Sequence, residues 1–67
     1  MNSGVSVTVV FPNGQKAVFS YGSVPHVGEN LDMTGFLRPG CTGHFVVVHT
    51  SHTTGMGSVA TVTVKAA

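Results

Sequence analysis

The chain has 67 residues, of which three are Lys or Arg and two are Asp or Glu, so 7% are charged and the formal net charge is +1. This length accommodates one small domain, residues 1–67. Three scattered cations are too few for general nucleic-acid binding, because its affinity increases with the number of phosphates that Lys and Arg neutralise. A single cysteine, Cys41, excludes an internal disulfide, and no apolar run approaches the roughly 20 residues that span a bilayer.

The first predicted element is a β-hairpin. Residues Val5–Phe11 alternate with a period of two, which is typical of a half-buried strand, and Lys16–Tyr21 repeats the pattern. Pro12-Asn13-Gly14-Gln15 lies between them, and Asn-Gly between two β-rich runs is a strong hairpin signal because both residues tolerate positive φ. We therefore expect these two strands to pair.

Three further strands are predicted, separated by Gly- and Pro-containing loops. Leu31–Met33 is a short candidate, and His44–Thr50 has a Phe-Val-Val-Val centre that is apolar on both faces, as in a central or covered strand. Ser58–Lys65 is the last, with Ala60, Val62 and Val64 in the inward phase. Five strands with no intervening helix predict an all-β fold, a small antiparallel five-stranded barrel or roll of SH3-like or OB-like type.

The order of these features resembles a known group. The residues concerned are Phe11-Pro12-Asn13-Gly14, then Tyr21-Gly22-Ser23-Val24-Pro25-His26-Val27-Gly28-Glu29, then two Val-rich strands. This pattern is similar to that of small five-stranded β-barrel proteins of bacteria and their mobile genes, including integron-cassette-type proteins. The resemblance implies a small β-barrel and, because most such proteins have no assigned activity, it carries over no functional residue.

A metal site is one candidate chemistry. Cys41, His44, His49 and His52 fall within twelve residues, and zinc prefers thiolate and imidazole ligands in fours. On a continuous strand, however, His44 and His49 would lie on opposite faces and about 16 Å apart. A four-ligand site would therefore need a bulge or a broken strand. We keep a small zinc-binding domain as an alternative function and not as the first expectation.

Catalysis is not expected. Cys41 as a nucleophile would need a histidine and a carboxylate beside it, and only Glu29 and Asp32 can supply the carboxylate. Nothing in the sequence places either carboxylate beside a histidine or Cys41. We therefore expect that the protein is not an enzyme and has no catalytic residue and no cofactor. A second alternative is weak single-stranded nucleic-acid binding by stacking on Phe11, Phe19, Tyr21 or Phe45, but these residues share the phase of the core.

Apolar residues in the outward phase of the strands are the main functional signal. Val10, Val18, Val48 and Val59 stand where a lone small barrel would carry polar side chains. We expect them to form an interaction face, so that the protein is a binding or assembly module that contacts itself or another protein, and neither membrane nor nucleic acid. Because the first residues carry no secretion signal and there is one cysteine, we expect a cytoplasmic location.

Overall fold

A computed structural model describes residues 4–52 and 59–67, which form five strands and no helix. The strands are β1 (Val5–Val10), β2 (Lys16–Tyr21), β3 (Asn30–Asp32), β4 (His44–Ser51) and β5 (Ala60–Ala66). The described residues thus contain no helix that is long and apolar enough to cross a membrane. The all-β prediction is confirmed.

The observed strand ends differ slightly from the predicted ones. β2 has the predicted bounds, whereas β1 ends one residue before Phe11, β3 is displaced by one residue towards the N-terminus, and β4 extends to Ser51. β5 begins at Ala60 and runs to Ala66, and the predicted start at Ser58 lies outside the described residues. Phe11 is buried although it follows the strand, because it continues the inward phase of Val7 and Val9.

The five strands form one open sheet in the order β2-β1-β5-β4-β3, curved into a half-barrel. Three neighbouring pairs are antiparallel, but β1 and β5 run parallel, with Val9 opposite Val62. The expectation of a purely antiparallel arrangement was therefore wrong for this pair. β1 and β5 are not joined by a hairpin turn, which would require them to be antiparallel. β1 is the outer strand of the β1–β2 pair, β5 is the outer strand of the β3–β4–β5 unit, and the two units meet through these strands.

The hairpin has a three-residue loop, one residue longer than the two-residue turn that Asn-Gly alone predicts. The amide of Gly14 donates to the Phe11 carbonyl at 2.9 Å, and the Phe11 amide donates to the Gln15 carbonyl at 2.9 Å. Gly14 has φ 87°, so the loop is a turn with Pro12 and Asn13 at its centre, followed by one residue in the left-handed region. This geometry sets which β2 groups point towards β1.

The core lies on one face of the sheet and under the 33–43 loop. Its buried members come from β1, β3, β4, β5 and the segments that follow β1 and β3: Val7, Val9, Phe11, Leu31, Met33, Cys41, Phe45, Val47, Val62 and Val64. The loop is closed at its base, where Met33 and Gly43 exchange main-chain hydrogen bonds of 2.7 and 3.3 Å. Phe36 of this loop packs 6.0 Å from Phe11 and 5.2 Å from Phe19, between ring centroids. The concave side is thereby filled.

Candidate functional site: the outer sheet face and its two edges

The convex side of the sheet, called here the outer face, consists of the strand residues that alternate with the core. In addition to His49 it carries Ser6, Thr8, Val10, Lys16, Val18, Ser20, Asn30, Asp32, His44, Val46, Val48, Ser51, Thr61, Thr63 and Lys65. Hydroxyl and valine side chains occupy its centre. Its charged groups lie on the outermost strands or towards the C-terminal end of β5, so the centre of the face is uncharged.

The register shows how these residues adjoin one another. Val18 lies opposite Thr8, and Thr8 lies opposite Thr61. In the next row Val10 lies between Lys16 and Thr63. The first row therefore reads Val-Thr-Thr and the second reads Lys-Val-Thr, so each row combines valine with threonine.

The structure places the four predicted interaction residues on or beside this face but does not gather them into one patch. Val18, Val59 and Val48 are exposed to 54%, 43% and 42%, whereas Val10 is half-buried. Val59 precedes β5 and adjoins β1 through a 2.9 Å hydrogen bond from its amide to the Ser6 carbonyl. Val10 and Val18 are diagonal neighbours across the β1–β2 pair, whereas Thr61 and Thr63 lie between them and β4, so the face is a mixed surface of methyl and hydroxyl groups.

A β-bulge changes the expected positions of the histidines. The register of β4 against β5 shifts between Val47, which faces Val64, and His49, which faces Thr63. Val48 is the additional residue, and both it and His49 are exposed. His44 and His49 therefore share the outer face, contrary to the expectation of opposite faces, but about 13 Å of strand still separates them.

The four candidate metal ligands do not come together. Cys41 is fully buried, with its Sγ 3.5 Å from Oε1 of Gln15, while His44, His49 and His52 are exposed. Within residues 4–52 and 59–67 no group of three or more His, Cys, Asp or Glu side chains is placed to hold a metal ion. The bulge that a shared site would need exists, but it does not bring the cysteine to the histidines.

The Asp32 carboxylate accepts two hydrogen bonds from one neighbouring residue. Its Oδ1 accepts hydrogen bonds from the Thr34 hydroxyl and from the Thr34 amide, the latter at 3.0 Å. These bonds, with the nearby His44 imidazole, lower the pKa of the Asp32 carboxyl below its ordinary value. Its oxygen is occupied in closing a turn after β3, which is a structural role.

The predicted stacking aromatics belong to the concave side. Phe11 and Phe45 are buried, with ring centroids 5.3 Å apart, so neither offers a face to a base. Phe19 and Tyr21 are half-buried at 6.3 Å from each other, and burial raises the pKa of the Tyr21 phenol. The guanidinium of Arg38 lies 5.0 Å above the Phe36 ring, where it makes a cation–π contact with the loop that covers the core.

The two edges of the sheet, β2 and β3, are the features that sequence reasoning missed. In antiparallel pairs the main-chain groups of alternate residues point towards the neighbouring strand and away from it. The hydrogen bond from the Phe11 amide to the Gln15 carbonyl sets this phase for β2. The main-chain amides and carbonyls of Lys16, Val18 and Ser20 therefore point away from β1. The uninterrupted alternation of this strand was visible in the sequence, but its position at an edge was not.

Comparison with protein-family models, curated proteins and solved structures gives no significant match to this chain. The resemblance to integron-cassette-type proteins and the SH3-like or OB-like assignment therefore stay predictions. The fold class rests on the strands and register described above.

Proposed function

We propose that the protein is a non-enzymatic binding or assembly module that uses its outer face for self-association or for docking a protein partner. The supporting observation is the exposure of Val18 and Val48 on the outer face, whose centre carries no charge, and of Val59 beside it. Burial of apolar area contributes about 25 cal/mol per Å², and no desolvated charge at the centre opposes contact.

The charge distribution supports a protein partner over a polyanion. The formal net charge is +1, and the lysines of the outer face lie apart, Lys16 opposite Val10 and Lys65 opposite Val46. Two isolated cations form no groove along which a phosphate backbone could run. Like molecules, in contrast, meet little electrostatic repulsion across such a face.

The cellular setting is proposed from the cysteine. Cys41 is free and buried, as is common for a small hydrophobic side chain in a reducing compartment. We accordingly propose a cytoplasmic location and, from the resemblance to bacterial integron-cassette-type proteins, a bacterial cell, where the protein works as a homo-oligomer or as part of a larger assembly.

The experiment is light scattering after size exclusion over a wide concentration range. We expect the wild type to associate and the double variant Val48→Lys, Val59→Lys to remain monomeric, because each lysine places a charge on the contact face. Val27→Lys is the matched control, since Val27 is 62% exposed in the loop between β2 and β3. Equal association of the double variant and the wild type would contradict the outer-face proposal, and a strict monomer would leave only a different protein as partner.

A further inference from the structure

The β2 edge carries main-chain groups that have no partner in the part of the chain that the structure describes. Of the three residues that point away from β1, Lys16 has its carbonyl occupied by Nη1 of Arg38 at 3.3 Å. The outward amides and carbonyls of Val18 and Ser20 form no hydrogen bond within residues 4–52 and 59–67. Unpaired strand groups of this kind are a template for another strand.

This edge also lacks the features by which proteins block strand addition. Natural edges are protected by proline, bulges, short length or charged side chains. β2 has six residues in unbroken register with β1, and its single charge, Lys16, stands at one end. From Ala17 to Tyr21 the strand is uncharged.

We propose that β2 pairs antiparallel with β2 of a second copy of this chain, about a two-fold axis at Phe19. This pairing rests on the proposed function in one respect, that the protein works by associating. Val18 of each copy then faces Ser20 of the other, and the two pairs form four main-chain hydrogen bonds with the groups that are uncovered. The two five-stranded sheets become one continuous sheet.

The strand is its own complement in this register. On the concave side Ala17 faces Tyr21 of the second copy, so a small side chain meets a large one twice, and Phe19 faces Phe19 beside the existing contact with Phe36. Lys16 falls opposite Gly22 of the second copy, so no like charges meet. A register shifted to a Val18 axis would instead require the Lys16 carbonyl that Arg38 occupies.

The other edge is a poorer partner for β2. β3 has three residues, and only Asn30 and Asp32 point their main-chain groups outward. It is followed at once by the turn in which Asp32 binds Thr34, and it is preceded by an irregular step where both Gly28 and Glu29 bond to Val47. A second copy of β2 therefore matches the β2 edge better than β3 does.

Backbone hydrogen exchange followed by NMR tests the pairing directly. On raising the wild-type concentration from low micromolar towards millimolar, we expect the Val18 and Ser20 amides to exchange roughly tenfold more slowly when about nine molecules in ten are paired. The Asn30 and Asp32 amides, which point outward at the other edge, serve as internal controls and should not change. Slowing at both edges would indicate head-to-tail pairing of β2 with β3 and overturn the two-fold arrangement.

Two variants separate this pairing from the outer-face proposal. Ser20→Pro removes an outward amide without removing a β1 bond, and we expect it to abolish both association and the protection of Val18, whereas Ser23→Pro in the following loop should leave them unchanged. If Ser20→Pro does not fold, a synthetic chain that is N-methylated at the Ser20 amide removes the same outward donor without placing a charge on the outer face. Association that survives in a folded edge variant but is lost in Val48→Lys, Val59→Lys overturns strand pairing alone, and the reverse pattern overturns the outer face alone. A wild type that stays monomeric overturns the pairing while docking onto another protein remains.

Discussion

The two edges of this sheet differ in nearly every property that governs strand addition. β3 is three residues long, and carboxylates act in turns at both of its ends: Glu29 accepts from the His26 amide at 2.7 Å, and Asp32 accepts from Thr34. β2 is twice as long and has no acidic residue or bulge. One of its outward carbonyls accepts a hydrogen bond from Arg38, and the outward main-chain groups of Val18 and Ser20 have no partner among residues 4–52 and 59–67.

The contrast shows where the few charges of this chain have been placed. Both acidic residues, Glu29 and Asp32, lie at β3, so two copies could not approach edge to edge there without bringing like charges together. The β2 edge has no such repulsion. The low number of charged residues therefore has different consequences at the two edges. The acidic residues at β3 oppose the addition of a second β3 strand, whereas β2 has no acidic residue to oppose strand addition.

The largest expected effect concerns how β3 is held. Leu31 is the inward residue of β3, is 7% exposed and lies opposite Phe45. Leu31→Ala should lower the free energy of unfolding by about 2–5 kcal/mol, through lost burial and the cavity left behind. Urea unfolding followed by far-ultraviolet circular dichroism measures this change.

The matched control for that variant is the other leucine of the chain. Leu37 is 86% exposed in the 33–43 loop, so Leu37→Ala should change stability by no more than about 0.5 kcal/mol. Equal effects at the two positions would show that β3 is not anchored by the core and would break the contrast between a closed and an open edge.

The second effect concerns the turn that holds β2 against β1. Gly14 has φ 87° and open space around its Cβ position, so Gly14→Ala should cost about 1 kcal/mol from backbone strain alone. Gly22, just after β2, has equal space and no left-handed φ, and Gly22→Ala should be neutral or slightly stabilising. Thermal unfolding of both variants gives the difference, and similar melting temperatures would argue that the turn does not support β2.

The smallest effect is a pH dependence confined to β3. Because hydrogen bonds from Thr34 lower the folded-state pKa of Asp32, its contribution to stability is present above the ordinary carboxyl pKa of about 3.9 and is lost as pH falls through the folded value. Asp32→Asn should flatten the acid limb of stability against pH, measured by urea midpoints at a series of pH values. An unchanged acid limb in the variant would assign that limb to other carboxyls.

Much of the architecture was readable from local pattern. The hairpin was predicted with the correct β2 bounds, because a period of two around a Pro-Asn-Gly turn depends on neighbours in sequence. The inward phase of Val7, Val9, Val62 and Val64 was equally readable, since alternation sets which side chains can be buried together. The interaction face assigned to Val10, Val18, Val48 and Val59 stays a prediction, because alternation indicates which face a side chain is on but not which side chains lie beside it.

The rest depended on contacts between residues far apart in the chain. Parallel pairing of β1 with β5, the β4 bulge that turns His49 to the face of His44, and the Arg38 bond to Lys16 each join segments whose separation no periodicity encodes. The same holds for the edges, because a strand becomes an edge only through the order in which all strands pair. Alternation and turn chemistry in the sequence thus determined the strands and their buried sides, whereas the tertiary structure decided which strand was left with its backbone open.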